Sequence, residues 1–88
     1  MNIEPIKAIM KQELRSDLIY LRDCISHNSY AKLFEFAHKY KLRLHYLQEQ
    51  EALDMVTKVI DAFHNNQHEK QLELSQYLYD NLETLQYH

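Results

Sequence analysis

Residues 30–47 read YAKLFEFAHKYKLRLHYL, and the apolar spacing in this stretch decides how the chain folds. Leu33, Ala37, Tyr40, Leu44 and Leu47 follow one another at intervals of four, three, four and three, which keeps their side chains on one stripe of an α-helix. That stripe fixes where the other residues point, because each helical position advances by about 100°. Phe34, His38, Lys41, Leu42 and His45 share a second face, roughly 120° around the helix from the centre of the stripe. The face is predicted to lie outside the core, with a histidine in reach of solvent, a cation one turn away and apolar neighbours on either side.

Working outward, Ile3, Met10, Leu14, Leu18, Leu21 and Ile25 step by sevens, fours and threes and predict a helix over residues 4–26. His27, Asn28 and Ser29 interrupt it with residues suited to a turn, and the side chain of Asn28 or Ser29 is expected to accept a bond from a free amide of the next helix. On the other side, the polar run Gln48, Glu49, Gln50, Glu51 either holds a short connection or continues the helix, since no glycine marks a stop. A further helix carries Leu53, Val56, Ile60 and Phe63 and closes over residues 64–68, where Asn65 and Asn66 tolerate turn conformations. A last helix resumes near Glu69 with Leu74, Leu78, Leu82 and Leu85. Four amphipathic helices with short connections bury their stripes most economically as an antiparallel four-helix bundle. The predicted fold class is therefore all-α, with one domain over residues 1–88. A monomer is expected, and association of the three shorter helices between chains is the alternative.

Composition narrows the chemistry. A chain of 88 residues is at the small end of single domains and buries only about 60% of its unfolded surface. It contains no glycine, which excludes glycine-rich loops that cradle phosphates or dinucleotides. Pro5 is the sole proline, so nothing downstream of it breaks a helix in that way. The formal net charge of −3 supplies no drive toward nucleic acid or anionic lipid. Apolar runs are short and no basic segment leads into one, so neither membrane spanning nor export is expected. Cys24, the single cysteine, sits within an apolar helical pattern and reads as a small core residue in a reducing cytosol.

The second face of residues 34–45 has a chemical meaning. A neutral imidazole nitrogen is a competent nucleophile near neutral pH. A lysine one turn from it supplies positive charge for the oxygens of an arriving phosphoryl group, which is electrostatic positioning rather than covalent work. Phe34 and Leu42 would surround His38 with apolar surface for a docking partner. His45, one further turn along from Lys41, is either a second phosphate contact or a surface residue. The plainer account of His38 and Lys41 is a solvated polar face. Elsewhere, His64 and His68 stand four apart and would share a metal only if their segment were helical, whereas it reads as a turn without a third ligand. Lys32, Lys39 and Arg43 form a basic strip on the other flank of the helix, expected to be a solvated edge.

The run Phe36, Ala37, His38, Lys39, Tyr40, Lys41 resembles the Ala-His-x-x-Lys signature of histidine-containing phosphotransfer (HPt) domains of bacterial phosphorelays. Leu47 matches the apolar residue that usually follows the histidine by nine positions. A turn before this helix, a helix closing at Asn65 and Asn66 where the family often has Gly-Asp, and a final leucine-rich helix extend the resemblance from about Leu14 to Leu85. It implies a cytoplasmic two-component signalling protein whose His38 takes a phosphoryl group from a receiver-domain aspartate, as phosphohistidine, and passes it to another receiver. Lys41 would correspond to the family's phosphoryl-neutralising lysine, and the partner would be a response-regulator receiver domain or a hybrid histidine kinase. Such a protein is a phosphocarrier rather than an enzyme, with no cofactor and no nucleotide or metal site of its own. Leu42 stands where the family usually has glycine, the residue that leaves room beside the histidine for the receiver. The alternative is a non-catalytic helical interaction module that binds or inhibits a protein partner, as a monomer or a dimer.

Overall fold

In a computed structural model, which describes residues 4–86, the chain forms α1 (Glu4–Ser26), α2 (Tyr30–Tyr46), α3 (Gln50–His64) and α4 (His68–Gln86). α2 packs along α3, α3 along α4, and α4 along α1, while α1 and α2 close the ring through a sparser contact. This is the expected four-helix bundle. The polar run after Leu47 holds a connection rather than continuing the helix.

How the chain turns without glycine is a single solution used repeatedly. Asn28, Gln48 and Asn66 adopt φ of 52°, 61° and 57°, the left-handed region that closes a helix when the next amide folds back onto its last turn. The Ser29, Glu49 and Gln67 amides donate to the carbonyls of Cys24, Leu44 and Ala62 at 2.9, 3.0 and 2.9 Å. The preceding amides of Asn28, Gln48 and Asn66 donate to Ile25, His45 and Phe63 at 3.2, 3.1 and 3.1 Å. These are Schellman closures of the outgoing helix. The expected side-chain cap at the start of α2 does not form: Ser29 makes no such bond, and its backbone carbonyl instead accepts from the Leu33 amide at 2.9 Å. Asparagine tolerates the left-handed region better than glutamine does. Gln48→Gly is therefore expected to stabilise the chain by about 0.5–1 kcal/mol, raising Tm by about 3–6 °C. Asn28→Gly should gain less, and thermal unfolding of the two variants compares them directly.

The core takes Leu14, Leu18, Leu21 and Cys24 from α1, and Leu33, Ala37, Tyr40 and Leu44 from α2. α3 adds Val56 and Ile60, and α4 adds Leu78 and Leu82. Burial pushes the Cys24 thiol above the ordinary range, consistent with a core residue. Leu47 is only half-buried, as are Ile25, Leu53, Phe63, Leu74 and Leu85, because they lie at helix ends or stripe margins. Ile3 and the Met10 side chain fall outside the described residues. Residues beyond the stripes join the core: Phe36, Ala52, Val59 and Ala62, and the polar pair Gln71 and Ser75. The Gln71 amide donates to the Tyr30 carbonyl at 2.8 Å, tying α4 to the start of α2.

The sparse α1–α2 contact is closed by charge. The Tyr40 hydroxyl donates to the Asp17 carboxylate, Arg43 reaches Asp17 at 3.2 Å and Glu13 at 2.9 Å, and Lys39 approaches Asp17 at 3.6 Å. The guanidinium also lies 5.3 Å from the centre of the Tyr40 ring, a cation–π arrangement. Arg43 is thus drawn in against α1, while Lys39, still half exposed beside Asp17, and Lys32 keep the solvated edge expected of that strip. Burial and the hydrogen bond to Asp17 hold the Tyr40 phenol well above its ordinary pKa. The folded state keeps this proton where the unfolded chain gives it up, so Tyr40 contributes a fall in stability above about pH 10, added to the fall that the raised Cys24 thiol begins at lower pH. Tyr40→Phe should remove the Tyr40 share of the alkaline decline and leave that of Cys24; denaturant titrations of both chains at pH 9 and 11 measure the difference.

Candidate functional site

α2 presents its outer ridge to solvent because its own core stripe is satisfied. Ala37 and Tyr40, on either side of His38, are buried, and His38, Lys41, Leu42 and His45 are all exposed. Leu42 is 77% exposed, a large side chain with little of its surface covered. His38 and Lys41 make no ion pair with the described residues, so both are open to an incoming group. Glu35, one turn before Lys39 on α2, is likewise exposed.

Phe34 differs from its neighbours on this face. It is half-buried in the seam with α3, its ring stacked on Phe63 at 4.7 Å between centroids and 21° between planes. Two imidazoles approach the same ring, His38 at 6.0 Å and His64 at 5.2 Å. Phe34 is therefore a floor beneath the histidine rather than a free wall beside it. Its immobility follows from helix pairing: the stack on Phe63 is an inter-helix contact, and offset aromatic pairs at this separation add about 0.5–1.5 kcal/mol beyond their burial.

His64 is the residue that sequence reasoning placed elsewhere. It is the last residue of α3, not a turn residue, and its ring faces Phe34. His68 opens α4 and stacks on Tyr30 at 4.3 Å. The two histidines thus belong to separate helices and lie against different aromatic rings. Among the described residues no group of three metal-ligating side chains comes together. His45 follows His38 by seven positions, about 10 Å further along the helix axis, and has no ring contact with Phe34 or with His38. It stays on the same face without joining the cluster. No linear pattern pairs residue 38 with residue 64; only the packing of α2 on α3 does.

The arrangement brings together a nucleophile-competent imidazole, a nearby ammonium and an aromatic floor, on a helix whose inner face is anchored. An arriving phosphoryl group would meet positive charge and no described carboxylate paired to it. No known protein family, curated protein or solved structure matches the chain. Among the described residues no helix is long and apolar enough to cross a membrane.

Proposed function

We propose that the protein is a phosphorelay intermediate of the HPt type, with His38 as phospho-acceptor and Lys41 as charge stabiliser. The observation that supports this reading best is the solvent exposure of His38 in the middle of α2, with Lys41, ion-paired to none of the described residues, one turn later. An imidazole nitrogen of His38 attacks the phosphorus of a receiver's aspartyl phosphate. The new N–P bond forms as the P–O bond to the aspartyl carboxylate breaks, and that carboxylate leaves with the bonding pair. Reversal onto a second receiver's aspartate completes the relay. Lys41 balances charge on the phosphoryl oxygens as they pass, a task that needs position and not covalent participation. Nothing in the cycle requires a nucleotide, a cofactor or a metal held by this chain; the receiver supplies its own site. The setting for such an exchange is the cytoplasm.

Leu42 sits one position after Lys41 on the same ridge, where its exposed side chain meets any docking partner. Trimming it opens the approach, so Leu42→Ala is expected to speed exchange several-fold when the protein is mixed with a phosphorylated receiver and acid-labile phosphate is followed. Leu42→Gly should act likewise at a cost of about 1 kcal/mol in helix stability. Slower exchange in Leu42→Ala would identify a docking contact instead. The 77% exposure of this leucine also favours a second reading, a helical interaction module that binds a protein partner without transferring phosphate. Absence of acid-labile phosphate on the chain, together with a stable complex, would select it.

A further inference from the structure

We infer that His64 completes the site from α3: with His38 and Lys41 it forms a cradle for a tetrahedral dianion across the α2–α3 seam. The inference deepens the phosphoryl-acceptor reading and rests on it, since the occupant is the phosphoryl group carried by His38. Three observations carry it. His38 and His64 come from different helices yet lie against the same ring, Phe34, at 6.0 and 5.2 Å. That ring is held by its stack on Phe63 at 4.7 Å, so it is the packing of α2 on α3 that brings both imidazoles to one ring. His64 is also the last residue of α3 and is exposed, so its ring nitrogens are open to a ligand.

The electrostatics point the same way. The imidazole N–H groups of His38 and His64 and the Lys41 ammonium are all donors, and an anion accepts from each. The carboxylates nearest in sequence, Glu35 on α2 and Asp61 one turn before His64 on α3, are exposed, and neither forms an ion pair with His38, Lys41 or His64. His68 of α4 is engaged with Tyr30, and His45 lies two turns from His38 along α2. The charge of the cradle is therefore left for a ligand. Histidine supplies it conditionally, because imidazole charge changes between about pH 5 and 8.

Sulfate is the probe that isolates this geometry from the covalent step, because it stays doubly charged throughout that range and does not react. Titrated into the full chain at low ionic strength and followed by imidazole NMR, sulfate is expected to shift His38 and His64 along one isotherm, with His45 moving far less. His64→Gln should weaken sulfate about threefold to fivefold at pH 6, the scale of one exposed charge, and by less than twofold at pH 8. His64→Lys should restore the affinity and abolish the part of its pH dependence that His64 supplies. His64 moving no more than His45, or His64→Gln leaving affinity unchanged at pH 6, overturns the cradle. Phosphoramidate treatment tests the underlying reading separately: attack of His38 on phosphorus with loss of ammonia gives acid-labile phosphate. Sulfate binding as described without that product retains the cradle and rejects the acceptor.

Discussion

His38→Gln is expected to abolish phosphoryl acceptance while leaving stability within about 0.5 kcal/mol of the parent chain. Glutamine keeps the polarity and most of the helix propensity of the residue but offers no nucleophilic ring nitrogen. The substitution is mild for the fold because the imidazole is exposed, and its described ring contact is with Phe34, which retains its stack on Phe63. Lys41→Ala should slow acceptance without ending it, since the nucleophile remains and only the charge that lowers the barrier is lost. His45→Gln should be nearly silent. The measurement is acid-labile phosphate after exposure to a phosphorylated receiver, alongside urea unfolding of each variant. Acceptance that survives in His38→Gln would move the phosphorylated group elsewhere. Loss of several kcal/mol in that variant would mean that the imidazole is a bonded structural element.

Asp17→Ala should produce the largest loss of stability among the variants considered, about 2–3 kcal/mol in urea denaturation. Its carboxylate is 16% exposed and receives the Tyr40 hydroxyl, Arg43 at 3.2 Å and Lys39 at 3.6 Å. Hydrogen bonds to a charged acceptor contribute about 1.5–3 kcal/mol, and truncation also strands the buried donor. Glu13→Ala removes a single more exposed partner of Arg43 and should cost about 1 kcal/mol or less. Asp17→Ala falling within 0.5 kcal/mol of the parent would mean that apolar packing alone secures α1 against α2. Because α2 carries the candidate site, the same variant tests whether the α1 contact matters to it: His38 faces away from α1, so acceptance should persist wherever Asp17→Ala remains folded.

The bundle was legible because periodicity is a local property. The intervals between Leu33, Ala37, Tyr40 and Leu44 name one side of α2 whatever packs against it, and the limits of α1 follow from where such a pattern starts and stops. The residues after α2 do not announce their connection, for an equally physical reason. Without glycine the chain closes at Gln48 in a left-handed conformation, which its residue type does not advertise. Phe36 escaped the stripe because it lies on the flank that α1 covers, where it stacks on Tyr40 at 4.6 Å.

The exposed face of α2, with His38, Lys41, Leu42 and His45 on it, is determined by the sequence alone, since it is the complement of a core stripe on the same helix. What each flank of that helix meets was decided only by tertiary structure. α1 draws in Arg43 through Asp17 and Glu13; α3 turns Phe34 into a floor and brings His64 to it; α4 reaches the start of α2 through Gln71. Spacing along one helix specifies the direction of its own side chains, but a contact between helices also depends on the rotation and axial offset of the partner. Those two quantities arise when all four stripes are buried together, so residues 38 and 64 become neighbours of the same ring only in the assembled bundle.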